Sequence, residues 1–202
     1  MNSFGILKHA RRGGGIISLL LCISLLTIAV TAPAQEEMLP PDSIYHLQAS
    51  LEDQSGKFTS LDLYQGSPVL ITMFYASCPH VCPMLISTIK LMEYSLTAEE
   101  RAKLRVLTIS IDPDGDTPEA LLETMTRHAV NDSRWTMTRP LNKDLRSIAA
   151  VLGIKYKKLP DGQFNHTTRV ILLDQSGVIL AKTDQIGRFD PAFLQSIKAS
   201  LQ

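Results

Sequence analysis

Net charge is the first thing this sequence lacks. Lysine and arginine total 20, and aspartate and glutamate total 20, over 202 residues. That balance leaves no basic footprint for a phosphate backbone, so nucleic-acid binding is not expected. Runs of like charge and internal repeats are missing too, which sets aside charged tails and repeat architectures. Cysteine is scarce: Cys22, Cys78 and Cys82 are the three in the chain. What is present is ordinary for a globular protein, with 45% hydrophobic and 20% charged residues. The length is enough for one domain with a substantial core.

Acidic residues are absent from positions 1 to 35. Lys8, Arg11 and Arg12 make a basic start, an uncharged apolar run follows from Ile16 to Val30, and Ala32-Pro33-Ala34 closes it. Basic start, apolar middle and small-residue end describe a secretory signal peptide. The expectation is export, to the periplasm, with cleavage after Ala34. The alternative is an uncleaved inner-membrane anchor, since the uncharged stretch from Gly13 to Gln35 is just long enough to span a bilayer. The domain plan is therefore a leader or anchor over 1–34, a linker over 35–43 containing Pro40-Pro41, and a folded domain over 44–202.

Removing the leader takes Cys22 with it and leaves Cys78 and Cys82 as the mature pair. A disulfide between cysteines four apart closes too short a loop to be a useful staple. A reactive dithiol or a metal-binding pair explains them better.

The pattern of the mature chain predicts an α/β domain. A short N-terminal hairpin is expected from Leu47–Leu51 and Lys57–Leu61 around a turn at Asp53–Gly56. Val69–Tyr75 reads as a buried central strand and leads into the cysteine segment. Leu85, Ile89, Met92 and Leu96 recur at helical spacing, with the regular helix expected to start near Pro83. Leu104–Ile111 is a second strand, and Thr117-Pro118 opens a helix to about His128. Trp135–Thr138 is a short strand, and Leu141–Leu152 a helix stopped by Gly153. Val170–Leu173 and Val178–Ala181 form a hairpin, and Pro191–Leu201 a closing helix. This is the element order of a thioredoxin-like fold with an N-terminal hairpin extension and insertions, its cysteines at the junction of the first core strand and its helix.

A cysteine at such a junction faces free backbone N–H groups that stabilise a thiolate. Redox enzymes of this fold usually carry C-x-x-C; the extra residue here widens the pair, which can still close as a disulfide and also suits a soft metal. Two thiolates select Cu(I), and an added imidazole makes a site also open to Cu(II). His166, in Asn165-His166-Thr167-Thr168 just before the hairpin strand, is the third ligand candidate, because the loop before that strand lies over the cysteine segment in this fold. His80, between the cysteines, is the other candidate, on a tether that points it to solvent. His46 and His128 read as surface residues. Asp112-Pro113-Asp114-Gly115-Asp116, with Glu123 at the twelfth position, imitates a calcium loop. Thr117 stands where the required glycine should be, so calcium is rejected. Asp116 reads as loop and helix cap, and Asp112 as a residue that could orient a ligand.

Three stretches resemble the Sco (SenC) family of thioredoxin-fold copper proteins: Phe74–Met84 with its CPxVCPM core, Ser110–Glu119, and Leu159-Pro160-Asp161-Gly162 followed by Asn165-His166-Thr167. The resemblance spans roughly residues 44 to 200. It implies one Cu(I) or Cu(II) held by Cys78, Cys82 and His166. It also implies assembly of the CuA centre of cytochrome c oxidase, with oxidase subunit II or another copper client as partner. Asn165 stands where the family often has Asp, and His80 where it often has an acidic or small residue. The competing function is a thiol–disulfide oxidoreductase using Cys78 and Cys82 on exported partners, itself recycled by a thiol reductant protein; a peroxide reductase of the same fold is a third. Copper binding and redox exchange are compatible, because a dithiol must be reduced before it binds metal.

Overall fold

The computed structural model describes residues 38–130 and 133–202, all within the unit Glu37–Gln202. The leader or anchor expected over 1–34, Cys22 in it and the start of the linker lie outside the described residues. Among the described residues no helix is long and apolar enough to cross a membrane.

The elements are β1 (Leu51–Asp53), β2 (Phe58–Thr59), β3 (Val69–Phe74), α1 (Val81–Tyr94), α2 (Ala98–Lys103), β4 (Arg105–Ser110) and α3 (Pro118–Arg127). They continue with β5 (Trp135–Pro140), α4 (Asn142–Leu152), β6 (Tyr156–Lys158), β7 (Phe164–His166), β8 (Val170–Leu173), β9 (Ile179–Thr183) and α5 (Pro191–Ser200). Seven strands form one sheet in the order β2-β1-β5-β4-β3-β8-β9. β3 runs parallel to β4 from Val69↔Arg105 to Phe74↔Ser110, and β4 runs parallel to β5. β8 is antiparallel to β3, and the N-terminal hairpin adds to the far side through β1 and β5. The expected α/β thioredoxin-like architecture is what forms.

The local reasons are legible. All six residues of β3 are buried, as a strand covered on both faces requires. Thr117 accepts a hydrogen bond from the Ala120 N–H, and Pro118 occupies the first turn of α3. Gly153 ends α4 at φ +66°, a conformation glycine adopts without a Cβ penalty. Leu85, Ile86, Ile89 and Met92 put the buried stripe of α1 against the sheet.

Several elements depart from expectation. The first strand begins at Leu51, not Leu47, because Ile44–His46 instead winds into a 3₁₀ turn capped by the Ser43 side chain. α1 begins at Val81, two residues before Pro83. Pro83 falls in the first turn, where backbone N–H groups have no helical partner, so its missing donor costs nothing. Finally, α2, closed by a Thr97–Glu100 capping box, and the β6–β7 hairpin are additions. The hairpin pairs Tyr156 with His166 and Lys158 with Phe164 and forms a sheet of its own.

Candidate functional site

β3 ends at Phe74, the chain crosses the loop Tyr75–His80, and α1 starts at Val81. Cys78 sits in that loop, half-buried; Cys82 is the second residue of the helix and only 4% exposed. The Cys82 N–H donates to the Cys78 sulfur at 3.5 Å. The first-turn amides of α1 are thus aimed at one sulfur and not the other.

This asymmetry separates the two thiols. Burial pushes the Cys78 pKa up. The backbone N–H groups of Cys82 and His80, the Cys82 thiol and the Tyr75 hydroxyl outweigh it and bring the net value below that of an ordinary thiol. Burial pushes Cys82 far upward, and the neighbouring Cys78 and Asp116 charges add to the rise. Of the two thiols, Cys78 is thus the one whose surroundings favour the thiolate, and Cys82 the more buried and harder to ionise. Iodoacetamide at neutral pH is expected to label Cys78 first, with Cys82 modified only after unfolding. Peptide mass mapping at limiting reagent checks this, and equal labelling of both would contradict it.

His166 ends β7. Its Nδ1 lies 3.0 Å from the Thr167 carbonyl oxygen, which accepts the proton there and leaves Nε2 as the lone-pair nitrogen. Burial lowers the His166 pKa and the Thr167 contact partly offsets it. A neutral imidazole with a free Nε2 is the metal-ligating form. Tyr75, Cys78, His80, Phe164, Asn165 and His166 all line one cavity of about 210 Å³. Cys82 is hydrogen-bonded behind Cys78. Among the described residues no three His, Cys, Asp or Glu side chains are gathered tightly enough to hold a metal ion. The Cys78 thiol and the His166 imidazole thus share a cavity without forming a closed cluster with Cys82. By chemistry the donor set, two sulfurs and one neutral nitrogen, fits a soft ion. A larger cavity of about 440 Å³, walled by Leu39, Gln65, Asp174 and Leu180, contains no thiol or imidazole.

The remaining candidates separate clearly. His80 is exposed at the start of α1. His46 is exposed, with Nε2 2.9 Å from the Pro40 carbonyl, and His128 caps the end of α3. Asp112 pairs with Lys158 of the hairpin at 3.2 Å.

Asp116 corrects the sequence reading. It is not the helix cap, a role Thr117 takes; the residue is 2% exposed and its carboxylate is bonded to the cysteine loop. It accepts from the Ala76 N–H at 3.0 and 3.1 Å and from the Ser110 hydroxyl at 2.5 Å. Two residues before Cys78, the loop is thereby tied to the end of β4. Sequence reasoning also missed Tyr75, read as the last residue of an apolar strand. Its hydroxyl donates to Gln163 Oε1 at 2.9 Å, a partner 88 residues away in sequence.

The SCO1/SenC family model matches residues 43–201. The chain belongs to the SCO1/SenC family. A SCO1 protein homolog of Bacillus subtilis is 23% identical over 139 residues, covering 65% of this chain and 69% of that protein. The solved structure of Bradyrhizobium japonicum ScoI with copper bound superposes with a TM-score of 0.64 at 24% identity, over 75% of this chain and 96% of that one. BsSco, described as a member of the Sco family of cytochrome c oxidase assembly proteins and as carrying a disulfide switch, superposes with a TM-score of 0.61 at 20% identity. That match covers 75% of this chain and 90% of BsSco. At these identities the SCO1/SenC structures establish the shared fold.

Proposed function

We propose that this SCO1/SenC domain is an exported, periplasmic copper carrier. It takes one Cu ion through Cys78, Cys82 and His166 and delivers it to the CuA centre of cytochrome c oxidase subunit II. The observation that carries the reading is the cavity shared by Cys78 and His166, with Cys82 hydrogen-bonded behind. Two soft sulfur donors and a neutral imidazole suit Cu(I) and, with the nitrogen, Cu(II). The copper bound by the Bradyrhizobium relative and the assembly role given for the Sco family support the same reading. Export is supported by the basic, apolar and small-residue sequence of the first 34 positions.

The thiol asymmetry favours a second, compatible reading. Cys78 thiolate attacks a disulfide of a client, forming a mixed disulfide and expelling one client thiolate. Cys82 then gives up its proton and attacks the Cys78 sulfur, expelling the second. Two electrons pass to the client, whose cysteines end reduced, and Cys78–Cys82 ends as a disulfide that a thiol reductant protein must reopen. BsSco's disulfide switch supports it.

The two readings separate at His166. In Cu(I) competition titrations the reduced domain is expected to take up one copper, and His166→Ala to bind at least ~10-fold more weakly, a loss at least as large as removal of an outer-shell partner. Disulfide exchange by the same variant should be unchanged. Unaltered copper affinity in His166→Ala would remove the imidazole from the site and leave the dithiol reading in place.

A further inference from the structure

The hairpin that carries His166 is a separate two-stranded sheet, and its polar ties to the domain near the cavity are few. The Lys158–Asp112 ion pair is one, and the Lys158 side chain is 55% exposed, so solvent screens it. The other tie is buried. Tyr75, 3% exposed, follows β3 directly and precedes Cys78 by three residues. Its hydroxyl donates to the Gln163 Oε1 at 2.9 Å and accepts from the Phe164 N–H at 3.4 Å. Its ring packs tilted on Phe164 at 5.2 Å between centroids and edge-on to His166 at 5.9 Å. One phenol thus touches every residue from Gln163 to His166 except Asn165, while its own backbone belongs to the cysteine loop.

Resting on the copper reading above, we propose that Tyr75 is a positioning residue for His166. Its hydroxyl latches the β6–β7 hairpin through Gln163 and the Phe164 N–H, holds the imidazole over Cys78, and sets how long copper is retained. A hydroxyl is required, because a phenyl ring would keep the packing on Phe164 and His166 but lose both hydrogen bonds to the hairpin, along with the hydroxyl's contact to the Cys78 thiol. Gln163 is required as the acceptor, and it serves as an independent handle because its side chain hydrogen-bonds Tyr75 and neither sulfur. Opening the latch swings away the one donor that does not come from the cysteine segment. The domain would then hold copper through two sulfurs, a form poised for transfer to the client.

The test measures Cu(I) release from the reduced, loaded domain to a colorimetric chelator by stopped flow. It uses wild type, Tyr75→Phe, Gln163→Ala and the double variant. Loss of one hydrogen bond to a positioned side chain is expected to speed release about tenfold, the factor that corresponds to ~1.4 kcal/mol. Each single variant should show it. The double variant should release no faster than Tyr75→Phe alone, because Tyr75→Phe already removes the one bond that Gln163→Ala takes away. Melting temperatures within a few degrees of wild type would confirm that the fold is retained. Unchanged release in Gln163→Ala, or independent, multiplying effects in the double variant, would overturn the latch. A second readout needs no metal: amide exchange of Phe164 and His166 in the apo domain should accelerate in Tyr75→Phe, and unaltered exchange would likewise sink the proposal. If the wild type binds no copper while this exchange still accelerates, the copper reading fails and the mechanical coupling of Tyr75 to the hairpin stands.

Discussion

Replacing Cys82 by serine is expected to abolish stoichiometric copper binding while leaving the domain folded. Cys82 is 4% exposed and packs in the core cluster beside the first turn of α1. Serine fits the same volume, but it offers a hard oxygen where a soft ion needs sulfur. The hydroxyl also has no usable anionic form near neutral pH. Loss of an outer-shell partner costs about 10–100-fold in metal affinity; loss of one of three direct donors should exceed that. Cys78→Ser should match it in copper affinity, yet the two variants should part in redox chemistry. Cys82→Ser retains the Cys78 thiolate and can trap a mixed disulfide with a client. Cys78→Ser lacks the nucleophile and should trap nothing. Copper stoichiometry by elemental analysis and trapping by non-reducing electrophoresis read the two properties separately. Full copper loading of either serine variant would refute the proposed ligand set.

Asp116→Ala is expected to give the largest loss of stability at the site, about 2–6 kcal/mol. The Ala76 N–H and the Ser110 hydroxyl would each be left in a buried setting without their acceptor, at ~1–3 kcal/mol apiece. Urea midpoints at constant slope measure it. The pH dependence has a definite sign. Burial raises the Asp116 pKa above its ordinary value, helped by Asp112 and opposed by Ser110, Ala76 and Arg139. The folded protein therefore holds this proton after the unfolded chain has released it. Stability due to Asp116 is full below the unfolded carboxyl pKa and falls as pH rises through the folded one. Asp116→Asn keeps an acceptor and cannot ionise, so it should lose less stability than alanine and flatten that acidic-side slope. The same neutral variant should ease the upward push on Cys82, to which the Asp116 charge contributes, and raise its alkylation rate. A slope and labelling pattern identical to wild type would show that the Asp116 charge is not felt at the cysteines.

The elements that sequence alone reveals are those whose signal is local. β3 is a run of apolar β-formers, α3 starts on Thr117-Pro118, and the end of α4 is marked by Gly153; each is written in adjacent residues. The Cys78/Cys82 pair is equally local, and so is the helix terminus behind it. What misled was also local. Pro83 suggested a late start for α1, but a first-turn proline forfeits no hydrogen bond. The β6–β7 hairpin escaped notice because Tyr156–Lys158 and Phe164–His166 are three-residue strands, mostly exposed or half-buried, with no alternating apolar face to announce them.

The residues that organise the site were hidden for a different reason. Asp116 meets Ala76 across 40 positions, and Tyr75 meets Gln163 across 88. No periodicity, cap or spacing reports a pairing at that range. From sequence, Asp116 is one acid among several in a polar loop, and Tyr75 one more apolar residue after a strand. By itself the sequence determined the α/β alternation, the dithiol at the strand–helix junction and the candidacy of His166. The first two follow from side-chain type and short-range backbone preference, and the third from the place of His166 in the element order of the fold. Only the tertiary structure decided which thiol is the more buried, that an aspartate is buried under the cysteine loop, and that a tyrosine hydroxyl ties the histidine hairpin to it. Those depend on burial and on hydrogen bonds that exist only once distant segments are packed together.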